Sequence, residues 1–363
     1  MKILSVVGAR PNFMKIAPIM RAIQAASPET QQTLVHTGQH FDEKMSDVFF
    51  RELELPKPDE HLGVSGGSHA VQTARIMLEF EPILEKHRPD WLVVVGDVNS
   101  TVACSLVASK IGIPIAHVEA GLRSRDNTMP EEINRKITDA ISDLLLTPSP
   151  DGDANLIAEG VDRDRIVCVG NVMIDSLIRA LPKIEASKIL SELELTAGNY
   201  VLATLHRPSN VDDPQMLAQL IKALNQISAS LPIVFPVHPR TRARLEAENI
   251  ELADGIKMVD PLGYFDFMAL MRSAKVVMTD SGGVQEETTY LGVTCLTVRP
   301  NTERPITIDE GTNRLVQPGT ETLLEAWKEV EANPPQRRCP ELWDGKAAER
   351  IAARLLQTSS DTP

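Results

Sequence analysis

The chain is poor in cysteine. It has only Cys104, Cys168, Cys295 and Cys339 among 363 residues, and no two stand in CxxC spacing. That argues against zinc-ribbon and thioredoxin-type chemistry, and three of the four sit in apolar contexts that read as core. No HExxH arrangement occurs, and no catalytic metal is expected. Neither a GxxxxGK[ST] phosphate loop nor a GxGxxG dinucleotide fingerprint is present. No apolar run approaches the length of a bilayer span. The opening stretch Met1–Val7 is too short for a signal peptide and leads into Gly8, so a cytoplasmic enzyme is the expectation. Positive charge is in deficit: 37 Lys and Arg stand against 50 Asp and Glu, a net charge of −13. That argues against a nucleic-acid or anionic-membrane surface but leaves room for a local basic pocket.

What is present is a regular alternation of apolar strand-like runs with amphipathic helical segments. Strands are predicted at Ile3–Val7, Gln32–Thr37, Trp91–Val95, Ile113–Val118, Leu144–Thr147 and Ile166–Val169, and again at Tyr200–Leu205, Ile233–Val237, Ile256–Val259, Val276–Thr279 and Thr294–Val298. Helical periodicity fills the intervals, including Phe13–Ala26, Thr101–Ile111, Glu131–Asp143, Pro214–Ser228 and Val284–Leu291. Near-continuous apolar strands separated by helices specify parallel sheets covered on both faces. The length exceeds one ordinary core and suggests two domains of roughly 150–200 residues. The expected division is residues 1–170 and 171–342, each a doubly wound, Rossmann-like domain, the two facing a deep cleft. In such sheets ligands meet the loops that follow the strands.

Those loops carry the chemistry-bearing residues. Gly8-Ala9-Arg10-Pro11-Asn12-Phe13-Met14-Lys15 follows the first strand, and its amides and two cations suit a phosphate. Asp97 ends the Trp91–Val95 run, where it either caps the next helix or serves as an acid. His117-Val118-Glu119-Ala120-Gly121-Leu122-Arg123 closes a strand, and Pro130-Glu131-Glu132-Ile133-Asn134-Arg135 opens a helix with two carboxylates at its positive end. Acids near two arginines can move protons beside a phosphate-bearing substrate. In the second half, His206-Arg207 follows a strand, and Asp280-Ser281-Gly282-Gly283-Val284-Gln285-Glu286-Glu287 is a strand–glycine–helix junction able to seat a diphosphate on its amides. His238 and Arg240 form a similar, weaker signal. His61, His69 and His87 carry no assigned role.

Taken together, and with Thr37-Gly38-Gln39-His40 and Thr302-Glu303-Arg304-Pro305, these motifs run in the order found in the non-hydrolysing UDP-N-acetylglucosamine 2-epimerases, which the chain resembles along nearly its whole length. The resemblance implies a GT-B type fold, with the closing segment Trp343–Leu356 crossing back to the first domain. It implies reversible epimerisation of UDP-GlcNAc to UDP-ManNAc, by elimination of UDP to a 2-acetamidoglucal and re-addition. By the same resemblance Asp97, Glu119 and Glu131 are the acid–base carboxylates. Arg10, Lys15, Arg135 and His206 hold the diphosphate and ease the departure of UDP, His206 counting among the catalytic groups. Ser281, Gly282 and Gly283 cradle phosphate and Glu287 holds the ribose, while Gln39 and His40 match a segment linked to an activating UDP-GlcNAc. Neither cofactor nor metal is implied; the implied partners are a UDP-sugar and a second copy of the chain, not nucleic acid or membrane. Asn12, where many members carry Glu, and Pro208-Ser209-Asn210, in place of a commoner Arg-Glu-Asn, depart from the pattern. They leave open a modified UDP-2-acetamido sugar. A GT-B glycosyltransferase is the other alternative, although it has no need for three carboxylates at these places.

Overall fold

A computed structural model describes residues 1–38 and 56–357. The chain forms two compact units, one of Met1–Ile178 with Glu341–Pro363 and one of Arg179–Pro340. The division falls inside the helix Val172–Glu185.

The first unit holds a seven-stranded sheet of β1 (Lys2–Val7), β2 (Gln31–His36), β3 (Glu60–His61), β4 (Trp91–Val95), β5 (Ile115–Val118), β6 (Leu144–Thr147) and β7 (Ile166–Cys168), in the order β3-β2-β1-β4-β5-β6-β7. Every pairing is parallel. Side chains alternate between two cores, as a sheet covered on both faces requires. Ile3, Val7, Val93 and Val95 enter one apolar cluster with the helices Arg10–Ala26 and Ala347–Gln357. Leu4, Val6, Leu92 and Val94 enter the other, with the helices His69–His87 and Asn99–Ile111. The order reverses between β1 and β4, so the loops after these two strands flank the switch point where doubly wound sheets bind ligands.

The second unit repeats the plan with six strands: β8 (Val201–Thr204), β9 (Ile233–Pro236), β10 (Ile256–Val259), β11 (Val276–Thr279), β12 (Thr294–Val298) and β13 (Asn313–Val316), ordered β10-β9-β8-β11-β12-β13 and again all parallel. Its switch point lies between β8 and β11, whose exits are the His206 and Asp280 loops.

Among the elements that were not predicted are one long helix and two strands. The helix His69–His87 buries only Gln72, Ile76, Phe80 and Leu84, a narrow stripe at four-residue spacing, and contains Pro82, so its helical signal is thin. Strand β3 is two residues long, and β13 opens with Asn313-Arg314. His61 accordingly sits in a strand and His69 and His87 end a helix. Of the cysteines, Cys104 and Cys295 are buried, Cys168 is intermediate and Cys339 exposed.

The closing helix is fastened to the rest of the first unit by polar anchors. The Trp343 indole donates to the Pro148 carbonyl at 3.1 Å. Asp175 accepts the Ala348 and Ala347 amides at 2.8 and 3.3 Å, capping the helix Ala347–Gln357 from a distance in sequence. Burial, with the Asp344 charge nearby, pushes the Asp175 carboxyl up from 3.8 to about 6. A raised carboxyl favours the folded state below its unfolded value, and that contribution fades as pH rises through about 6. Denaturant unfolding of wild type and Asp175→Asn across this window should therefore show wild type losing ground to the variant with rising pH, by on the order of 1–3 kcal/mol. A difference that stays constant with pH contradicts the assignment.

Candidate functional site

In the first unit, the loop after β1 is shaped by Asn12. Its Oδ1 accepts the Gly8 and Ala9 amides at 3.1 and 2.9 Å, and its Nδ2 donates to the Val95 carbonyl at 3.1 Å. This corrects the expectation that the loop offers those amides to a phosphate: both are already taken. Arg10 is the first residue of the helix Arg10–Ala26, with Pro11 behind it. Lys15, one turn on, is buried and forms an ion pair with Glu119.

Glu119 follows β5 in the left-handed region at φ 69°, unusual for a residue with a β-carbon. The neighbouring backbone fixes that conformation, since the Glu119 and Ala120 amides both donate to the Leu146 carbonyl at 3.0 and 3.2 Å. Gly96, the residue after β4, has φ +66°, and a β-carbon there would lie 3.2 Å from the Lys15 ammonium and 3.7 Å from the Glu119 carboxylate. The glycine leaves the space that this ion pair fills.

Asp97 does not cap the following helix, whose cap position is Val98 with no side-chain bond. Its carboxylate instead accepts from Arg135 at 2.5 Å, and its own carbonyl accepts from Asn134 at 2.9 Å. Arg135 also donates to Glu132 at 2.6 Å. Glu132 is fully buried and accepts the Ser124 amide and hydroxyl, both at 2.9 Å, and the Arg125 amide at 3.0 Å. Burial works to raise its carboxyl, but these donors and Arg135 outweigh it and hold it low. Thus of the two acids opening the helix Pro130–Ile141, Glu132 is committed to the scaffold and Glu131 is half-buried beside it. Arg123 is also committed, making a bidentate pair with Glu159 at 2.8 and 2.6 Å and a bond to Asp139 at 2.7 Å. Gln39 and His40 lie outside the described residues.

In the second unit the organising group is Asp280. It is fully buried and accepts the His206 and Arg207 amides at about 3 Å, the Asn210 side chain at 3.1 Å and the His206 ring Nδ1 at 2.8 Å. Burial pushes its carboxyl up, but the His206 ring and these amides prevail and keep it below the usual range. The His206 ring, about half exposed, is thereby oriented with Nε2 directed away from Asp280. His238 stands 6.2 Å from it, ring to ring, and caps the helix Pro239–Ala247 through Nδ1. Burial and the His206 charge push the His238 ring down from its ordinary value.

Ser281 is the cap residue of the helix Gly282–Leu291, yet its side chain makes no capping bond, so the first-turn amides are not consumed by it. Gly283 faces open space, while a β-carbon on Gly282 would meet the Glu303 carboxylate at 2.8 Å and the Arg304 guanidinium at 2.9 Å. Arg304 bonds Glu286 at 2.9 Å and also pairs with Glu303. Arg299 donates to Glu303 at 2.8 Å, and among the described residues its Nη1 is buried without a partner. Burial and the Arg299 charge push Arg207 below its ordinary value, so three guanidinium groups share this corner. Glu287, one turn along the helix, accepts from the Tyr264 hydroxyl at 3.3 Å. Arg299, Tyr264 and Asp280 escaped assignment from sequence. Asp280 was visible as a strand-end acid, whereas the other two carry no local signal.

Anion-receptive amides and guanidinium groups in one doubly wound unit, with cation-paired carboxylates at the strand ends of another, are the makeup of a sugar-nucleotide enzyme of GT-B type. The chain belongs to the UDP-N-acetylglucosamine 2-epimerase family, whose model matches residues 21–356, and is therefore an isomerase. It is 46% identical over 331 residues to a UDP-N-acetylglucosamine 2-epimerase homolog of Methanococcus maripaludis, covering 90% of this chain and 91% of that one. It is 41% identical over 361 residues to the UDP-2,3-diacetamido-2,3-dideoxy-D-glucuronate 2-epimerase of Pseudomonas aeruginosa, covering 98% and 100%. Among solved structures, the UDP-GlcNAc 2-epimerase of Methanocaldococcus jannaschii in complex with UDP-GlcNAc and UDP matches with TM-score 0.89 and 39% identity, covering 99% of this chain and all of that one.

Proposed function

We propose that the chain interconverts UDP-GlcNAc and UDP-ManNAc without hydrolysis, by removing the C2 proton, expelling UDP to leave a 2-acetamidoglucal, and adding UDP back after C2 is reprotonated on the other face. The observation that carries this reading is the pairing of Glu119 with Lys15 and of Asp97 with Arg135 at adjacent strand ends of one unit. Proton abstraction from a weakly acidic carbon needs an aimed carboxylate, and the paired cations supply that aim. Glu131, half-buried in the neighbouring helix turn, is the third acid of the set.

The leaving group is assigned to the second unit. The Ser281–Gly283 turn, whose Ser281 amide already donates to Thr279 Oγ1 at 3.0 Å, and the His206 ring receive the diphosphate, with Glu287 on the ribose. Cations lower the barrier to departure by neutralising charge as the carbon–oxygen bond breaks. In the first unit Arg10, Lys15 and Arg135 take the same role toward the phosphates. Gln39 and His40 remain assigned to an activating nucleotide sugar. The reaction is redox-neutral and closes on chemistry available to side chains.

The Pseudomonas relative acts on a modified UDP-sugar at an identity close to those of the UDP-GlcNAc enzymes, which supports a diacetamido uronate as the second reading of the substrate. Incubation with each UDP-sugar in deuterated water distinguishes the two. Deuterium should enter C2 of both UDP-ManNAc and recovered UDP-GlcNAc. Turnover of the uronate alone moves the substrate and keeps the chemistry, whereas epimerisation with the C2 proton retained contradicts the mechanism.

The division of labour has its own test. Glu287→Ala should weaken UDP binding by about 1–3 kcal/mol for its lost hydrogen bonds. Glu119→Gln should leave UDP affinity nearly intact while turnover falls by roughly 10²–10⁴, the usual worth of a general acid or base. Calorimetric UDP affinities beside turnover numbers decide it: equal loss of UDP binding in both variants would return Glu119 to a binding role.

A further inference from the structure

His117 is the buried neighbour of the proposed acids that the reaction scheme leaves without a task. It lies on β5, with no measurable exposure, two residues before Glu119. Its Nε2 is 2.8 Å from the Gly96 carbonyl and its Nδ1 is 2.7 Å from Asp139 Oδ1. A carbonyl can only accept, so Nε2 carries a proton. The other oxygen of Asp139 accepts the Gly121 amide at 3.1 Å and Arg123 at 2.7 Å, the pattern of an ionised carboxylate, so Nδ1 must donate as well. Burial raises the Asp139 carboxyl, but the His117 ring and the Arg123 guanidinium overcome it and hold it low. The ring therefore donates from both nitrogens.

The endpoints of these bonds are informative. Gly96 immediately precedes Asp97, and Gly121 follows Glu119 by one intervening residue. Gly121 has φ +80°, and a β-carbon there would meet the Gly152 carbonyl at 2.4 Å, so the backbone behind Glu119 is held from both sides. We infer that His117 is a positioning residue whose doubly donating ring ties the backbone behind Asp97, through Asp139, to the backbone behind Glu119, and so sets the spacing of the two carboxylates.

This rests on the epimerase reading, because it matters only if Asp97 and Glu119 act on one carbon. Losing the ring should misalign the acids without disturbing the nucleotide groups of the second unit. A displacement of about an ångström in a reacting group costs about 10²-fold in rate. In His117→Gln, turnover should fall by about that factor, while UDP affinity stays within about twofold of wild type, well under the tenfold that 1.4 kcal/mol represents. A general loss of folded enzyme would lower all activities in proportion. Misaligned acids should instead change the ratio of deuterium entering C2 of recovered UDP-GlcNAc to UDP-ManNAc formed. Nitrogen NMR of histidine-labelled wild-type protein at neutral pH should show both His117 ring nitrogens protonated. Wild-type turnover in the variant, an unchanged exchange ratio, or one unprotonated ring nitrogen overturns the inference. If wild type itself exchanges no C2 proton, the epimerase reading fails instead, and the nitrogen spectrum still decides the state of the ring.

Discussion

A buried carboxylate is costly unless a cation or several donors face it, and the site residues of both units are arranged around that requirement. In the first unit Glu119 is met by Lys15, the partly exposed Asp97 by Arg135, and Glu132 and Asp139 by amides, Arg135 and Arg123. In the second unit Asp280 is met by two amides, an asparagine and the His206 ring. These pairs do little for net stability, since exchanging a buried pair for apolar groups is often neutral. Their value is in direction: removing one partner would leave the other unaimed.

The parallel sheet makes this possible. Its strands all end on one side, and the reversal of strand order at β1/β4 and at β8/β11 opens the place where helices cannot cover the ends. Positive φ angles at Gly96, Glu119 and Gly121 turn the chain sharply as it leaves β4 and β5, so side chains from separate strands converge. The first unit thereby gathers acids with their counter-ions. The second gathers amides and guanidinium groups around Gly282 and Gly283, the pattern that suits an anion. The proposed division of proton transfer from nucleotide binding rests on two copies of one topology carrying different residues at equivalent strand ends.

Much of this was legible in the chain itself. Apolar runs such as Trp91–Val95 and Val276–Thr279 announced buried parallel strands, because in a doubly covered sheet both alternating faces must be apolar. The order of the motifs gave the family that the comparisons bear out. Elements with thin patterns were not legible: the helix His69–His87 has a narrow buried stripe and an internal Pro82, and β13 begins with two polar residues. Partnerships were not legible either. Lys15 and Glu119 are far apart in sequence, and nothing local says that Asn12 would occupy the Gly8 and Ala9 amides, or that Asp97 would turn to Arg135 rather than cap its own helix. Residue type indicated which groups could do chemistry; only topology reveals which of them are committed to one another.

The central claim is that these aimed acids act together with cations that take up UDP as a leaving group, so the bond between the sugar and the diphosphate must break and re-form in every turnover. UDP-GlcNAc carrying heavy oxygen in the bridging position measures that directly. During turnover the account predicts that the label scrambles into the non-bridging oxygens of the β-phosphate, in recovered substrate as well as in product. Exchange of the C2 proton with the label still wholly in the bridge would mean that UDP never leaves, and would contradict it.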